Sequence, residues 1–275
     1  MTDRLIKRDR FLDAVKAGPV VMGILNITPD SFSDGGCFNA LDDAVARAAA
    51  IASAGAAVVD VGAESTRPGA SPVSLEDELA RLEPVLGAIC AASPVAISVD
   101  TYKADVARRS AELGAAIIND IWGLQGDPAM AEVAAASQCA VIVMHNRHDI
   151  DADRDIIDDI LRFFEQSLTI ARKAGIAEHH VILDPGIGFA KTPEQNYAVL
   201  ARLERLKCFD RPILLGLSRK RMIGEATGRP TDQRMAGTLA ANMLGLCGGA
   251  NIIRVHDVAE HVDAVRIFSR TASAR

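Results

Sequence analysis

The feature that most constrains this chain is a strand and helix alternation repeated eight times. Short apolar runs at residues 20–26, 57–61, 95–100, 115–119, 140–145, 181–184, 213–217 and 251–255 are separated by longer segments of helical character. The runs are nearly continuous in hydrophobicity, which marks strands buried on both faces. The segments 42–54, 74–92, 103–113, 129–137, 155–174, 193–206, 235–246 and 258–269 read as helices, and Ser74 with Asp77 resembles a capping box. With no linker or compositional break, the pattern predicts an α/β fold: a single (β/α)8 TIM barrel over residues 1–275, with its active site at the C-terminal ends of the strands.

Composition suits that architecture and narrows the function. The chain is 49% hydrophobic but only 4% aromatic, so its core is aliphatic. A net charge of −6 offers no global attraction to nucleic acid or anionic lipid, so an anionic substrate must be held by local cations. Five dispersed cysteines form no CxxC pair and read as packing residues in a reducing compartment. The basic residues within 1–10 precede no apolar signal region, and residues 235–253 are interrupted by Gly248-Gly249. A cytoplasmic protein with no membrane partner is expected.

Almost every expected strand ends in a polar group: Asn26, Asp60 with Glu64 beyond it, Asp100, Asn119, His145, Asp184, Ser218, and Arg254 with His256. In a barrel these ends converge on one face. A lone Asp at such a place is most often a helix cap. Together, Asp100, Asn119 and Asp184 supply two carboxylates and an amide suited to the donor-rich edge of a flat amino-pyrimidinone heterocycle. Residues 216–220 (GLSRK) and 254–257 (RVHD) follow strands seven and eight, the usual phosphate-binding quarter of this fold. Arg254 and His256 lie two apart on an extended segment, so both face one side and can clamp an anion. Residues 26–36 (NITPDSFSDGG) and 64–70 (ESTRPGA) are rich in turn formers and hydroxyls, as expected of lids over a substrate.

Other signals fail on spacing. Gly186-Ile187-Gly188 lacks the last glycine of a dinucleotide fingerprint. Asp151, Asp153 and Asp155 mimic a calcium loop whose glycine and glutamate positions fall on Ile156 and Arg162, so they read as an acidic helix start. His145 and His148 have no further soft ligands close in sequence and read as loop histidines.

Taken in order, NITPDSFSDGG, ESTRPGA, SVDTYK at 98–103, IND at 118–120, DPGIGF at 184–189, GLSRK and RVHD closely resemble the motifs of the dihydropteroate synthases, over nearly the whole chain. The resemblance implies a homodimeric folate-pathway transferase joining 6-hydroxymethyl-7,8-dihydropterin diphosphate to 4-aminobenzoate, with magnesium as cofactor. It places Asp100, Asn119, Asp184 and Lys220 in a pterin pocket, with Met144, Phe189 and Gly216 against the ring. Asn26 resembles the magnesium contact, and Arg254 and His256 the pyrophosphate anchors. Thr66, Arg67, Pro68, Ser218, Phe189 and Lys220 resemble the surroundings of the aminobenzoate.

The chain departs from the family pattern at Asn146 and His148, which follow strand five, and at Ala63, Ala190 and Arg221. None of these removes a charged anchor. No nucleophile and base pair is present, which suits a dissociative substitution by a neutral amine. Two other readings share the expected pocket: a pterin-binding methyltransferase domain, and a pterin-binding subunit without catalysis.

Overall fold

A computed structural model describes residues 2–27, 37–64 and 72–274. Eight parallel strands run in the order β6-β5-β4-β3-β2-β1-β8-β7. They are β1 (Val20–Asn26), β2 (Val58–Gly62), β3 (Ala96–Asp100), β4 (Ile117–Asp120), β5 (Ala140–Met144), β6 (Val181–Asp184), β7 (Leu214–Leu215) and β8 (Ile252–Val255). A parallel bridge between Leu183 and Ile213 joins β6 to the chain entering β7, closing the ring. The architecture is the (β/α)8 barrel that the alternation predicts. β7 is far shorter than the apolar run at 213–217, because that chain leaves the ladder at Gly216.

Around the strands lie α2 (Cys37–Ser53), α3 (Leu75–Ala92), α4 (Ala104–Leu113), α5 (Met130–Ser137), α6 (Ile156–Ala174), α7 (Pro193–Ala201), α8 (Arg221–Thr227), α9 (Met235–Gly248) and α10 (Val258–Ala272). Local caps set several of their starts. Ser74 Oγ accepts from Asp77 N at 3.1 Å, and Asp155 Oδ1 accepts from Ile157 N at 2.8 Å and Asp158 N at 3.2 Å. Asp155 is therefore the N-cap of α6. Thr192 and Gln195 form a complete capping box on α7. Residues 235–253 become α9 and the approach to β8, and no described helix is long and apolar enough to cross a membrane.

Two helices, the N-terminal one and the short α8, have no counterpart in the expected segments, and the first matters for the core. α1 (Asp3–Ala17) turns Phe11, Leu12 and Val15 into a buried cluster with Met22, Val58, Ile117, Ile182 and Ile252 from the barrel interior. It seals the N-terminal end of the barrel. Its basic residues serve carbonyls there: Arg4 Nη2 donates to Ser137 O at 2.6 Å and Lys7 Nζ to Cys90 O at 3.1 Å, near the ends of α5 and α3. Cys90 and Cys139 are buried as expected, whereas Cys208 and Cys247 are exposed because they fall on outer faces.

Candidate active site

Strand register carries the polar ring to one level. Asn26 pairs with Gly62, Gly62 with Asp100 and Asp100 with Asn119, while Met144 pairs with Asp184. Asp60 lies two residues before Gly62 and therefore projects to the same side one layer deeper. Asp60, Asp100, Asn119, Met144 and Asp184 are all buried.

Arg254 binds this group from β8. Its Nε donates to Asp60 Oδ2 at 2.6 Å and its Nη2 to Asp100 Oδ2 at 2.7 Å, while Asn119 Nδ2 reaches the same Asp60 oxygen at 3.1 Å. Burial raises the Asp100 carboxyl to about 7 against the pull of Arg254, and Asp60 adds to the rise by like-charge repulsion. Burial also raises Asp184, which is opposed by Lys220 and by the Gly186 N–H. Although burial disfavours the Arg254 charge, Asp60 and Asp100 more than offset it and raise its pKa. Arg254 is thus tied to the carboxylate side of the mouth.

The second cation, Lys220, lies beside Asp184. Its Nζ donates to Ile187 O and stands 4.6 Å from the centroid of the Phe189 ring. Burial lowers it to about 8, against Asp184 and Asp100. A side chain on Gly188, at φ +85°, would meet Lys220 Cδ at 3.0 Å, and one on Gly216 would come to 4.0 Å from Nζ. Gly188 thus makes room for the lysine, whereas a side chain on Gly216 would meet it at an ordinary contact distance.

In the quarter after β7 and β8, Ser218 Oγ lies 2.9 Å from His256 Nδ1 and accepts from His256 N at 3.2 Å. Arg219 faces away from this pair, its guanidinium forming two bonds to Asp257 at 3.1 and 2.5 Å. Glu64 serves as a staple. It accepts from Val73 N at 3.1 Å and meets Lys103 Nζ at 2.5 Å, which also holds Glu78 at 2.6 Å. Thr66, Arg67 and Pro68 lie outside the described residues, as does most of each expected lid.

Asn26 fits a magnesium contact of the open kind. Its Oδ1 and the Asp100 carboxylate both border the space above Gly62, where a Cβ would come within 3.7 Å of Asn26 Oδ1 and 3.9 Å of Asp100 Oδ2. Asp60 Oδ1 and Asp100 Oδ1 are buried without a hydrogen-bond partner, leaving hard oxygen acceptors in this region. No group of three His, Cys, Asp or Glu among the described residues forms a metal cage. A magnesium ion held by Asn26 would therefore take most of its ligands from substrate phosphate and water, as that ion commonly does.

Behind β5 and β6 sits a cluster that sequence reasoning did not assign. Lys191 Nζ lies 2.9 Å from His145 Nδ1, whose Nε2 is 3.2 Å from Asp159 Oδ2. Burial lowers His145 to about 4 and Lys191 well below the ordinary lysine range. The other motif histidine, His148, stacks instead on Trp122 with ring centroids 4.5 Å apart.

A barrel whose mouth sets buried carboxylates and an amide beside Lys220, Arg254 and His256 is a pterin-binding enzyme in architecture, and the family described as pterin binding enzyme matches residues 22–256. Dihydropteroate synthase of Bacillus subtilis is 48% identical over 243 residues, 88% of this chain and 85% of that one. The dihydropteroate synthase of Clostridium difficile solved with pteroic acid superposes with a TM-score of 0.90 at 42% identity, covering 98% of this chain and 99% of that one. The Xanthomonas albilineans dihydropteroate synthase with 4-aminobenzoic acid gives a TM-score of 0.88 at 42% identity over 93% of both chains. This chain belongs to the dihydropteroate synthase family.

Proposed function

We propose that this transferase condenses 6-hydroxymethyl-7,8-dihydropterin diphosphate with 4-aminobenzoate to give 7,8-dihydropteroate and pyrophosphate. The observation that carries the reading is the convergence of Asp100, Asn119 and Asp184 with Lys220, Arg254 and His256 at one barrel mouth. The carboxylates and amide hold the pterin edge, while Met144, Phe189 and Gly216 border its faces. Arg254 and His256 hold the diphosphate, with Ser218 orienting the His256 ring.

The bond from the pterin methylene carbon to the diphosphate oxygen breaks first, its electron pair leaving with pyrophosphate. Arg254 and His256 stabilise that departing charge, and the dihydropterin ring delocalises the positive charge left behind. Magnesium, when bound at Asn26, supplies further neutralisation of the leaving oxygens. The neutral amine of 4-aminobenzoate then forms the carbon–nitrogen bond and releases its proton. Thr66, Arg67, Pro68 and Phe189 are assigned to the aminobenzoate side, with Lys220 and Ser218 between the two substrates. A homodimer working in the cytoplasm completes the reading, and sedimentation of the purified chain tests the dimer.

Pyrophosphate release tests the reaction. Release is expected to rise when 4-aminobenzoate joins pterin diphosphate, in step with dihydropteroate, and it should fall on chelation of magnesium. A protein that binds pterin but releases no pyrophosphate would instead be the non-catalytic subunit.

A further inference from the structure

The chain from Gly186 to Ala190 connects β6 to α7 and carries Phe189 to the mouth. Four of its five carbonyls accept from cationic side chains. Lys191 Nζ donates to Gly186 O at 2.8 Å and Phe189 O at 3.2 Å, Lys220 Nζ donates to Ile187 O, and Arg147 Nη2 donates to Ala190 O at 2.6 Å. Such a concentration of cations on one loop exceeds what chain connection requires. A loop is ordinarily tied down by its own backbone bonds, of which this one has Phe189 N to Gly186 O at 3.1 Å.

Lys191 is central to the arrangement. Its Nζ is ringed by three acceptors, the third being His145 Nδ1 at 2.9 Å, and this full set favours the ammonium against the burial that lowers its pKa. With Nδ1 accepting, the His145 proton sits on Nε2 and donates to Asp159, which Arg154 Nη1 also holds at 2.8 Å. This line of bonds anchors the loop to the end of β5 and the first turn of α6. The capping box of Thr192 and Gln195 fixes the residue that follows, and Gln195 Oε1 takes a further bond from Arg147 at 3.1 Å. Lys191 is itself buried, and the charges of Asp184 and Lys220 act on it.

We infer that Lys191 is a positioning residue: through the carbonyls of Gly186 and Phe189 it sets the Phe189 ring against Lys220, fixing the wall between the two substrate subsites. The inference rests on the synthase reading for its kinetic consequence. Asp184 leads into this loop, its Oδ1 accepting from Gly186 N at 2.8 Å, and Phe189 borders both subsites, so loss of Lys191 should disturb the amine side and, through Asp184, the pterin side as well.

The test compares the full chain with its Lys191→Met and Lys191→Arg variants. Lys191→Met is expected to lower kcat/KM for 4-aminobenzoate by about tenfold or more, with a loss of pterin diphosphate affinity beside it because Asp184 is bonded to the same loop. Amide exchange at Phe189 and Ala190 should quicken, and Lys191→Arg should recover at least about half of the lost kcat/KM because it restores charged donors. Equal losses toward both substrates with unchanged loop exchange would overturn the inference and leave Lys191 a core cation, and unchanged kinetics would overturn it outright. If Lys191→Met does not fold, His145→Leu and His145→Asn decide. The first removes the acceptor for Lys191 and should give the same losses with the same quickened loop exchange, while the second keeps an acceptor near Nδ1 and should not; matching behaviour of the two would overturn the inference. An unaltered protein that makes no product sinks the synthase reading alone, since the exchange comparison still decides the role of Lys191.

Discussion

Arg254 binds Asp100 at 2.7 Å, joining the cation expected to hold the leaving group to a carboxylate expected to hold the pterin. The two halves of the site are therefore electrostatically one unit. Asp100, raised to about 7, accepts a full share of the pterin edge only once ionised, while Lys220, lowered to about 8, loses its charge above that pH. We predict a bell-shaped pH profile of kcat/KM for pterin diphosphate, with limbs near these values. Asp100→Asn should flatten the acidic limb and weaken pterin binding by about 1.5–3 kcal/mol. The raised pKa also has a stability sign. Folded Asp100 binds its proton more tightly than the unfolded chain, so its contribution to stability declines as pH rises from 3.8 through about 7.

His256 and Arg254 should separate under mutation. His256→Ala is expected to reduce pyrophosphate affinity far more than affinity for the unphosphorylated pterin alcohol. Arg254→Ala should reduce both, because it also leaves Asp60 and Asp100 buried without their guanidinium, a loss of about 3–5 kcal/mol when a buried pair is broken. Calorimetry with each ligand distinguishes the two, and the double variant should be non-additive if the pair holds one anion.

Gly188→Ala tests the space reserved for Lys220. At φ +85° an alanine is strained, and its Cβ would meet Lys220 Cδ at 3.0 Å. The expected cost is about 1–2 kcal/mol in unfolding free energy from the backbone alone. Turnover should fall as well, because the ammonium is displaced from Asp184 and Phe189. Urea unfolding and steady-state kinetics on the same preparation check both.

The barrel and its mouth were legible in the sequence because their signals repeat: eight buried strand runs, and a polar residue at the end of nearly every one. α1 was not, since its few large apolar residues, Leu5, Ile6, Phe11, Leu12 and Val15, are scattered among many charged ones, and nothing local says that Phe11, Leu12 and Val15 meet an open barrel end. Asp60 was visible in the polar ring, but its partnership with Arg254 spans 194 positions and follows only from closure of β1 between β2 and β8. Lys191 was equally hidden, because a lysine after a glycine-rich turn reads as a solvated charge until the loop folds back over it.

The role of α1 as a seal predicts that Phe11→Ala destabilises the protein by about 3–5 kcal/mol with little change in substrate affinity. Phe11 is 2% exposed and lies at the end of the barrel remote from the site. Denaturant unfolding measures the first effect and calorimetry the second.

The synthase chemistry itself is measured by following radiolabelled 4-aminobenzoate in the presence of pterin diphosphate and magnesium. Label should enter 7,8-dihydropteroate with one pyrophosphate released per product, and Asp184→Asn and His256→Ala should each slow the incorporation while the protein stays folded. Unlabelled pterin products, pyrophosphate released without incorporation of the amine, or full activity in both variants would contradict it.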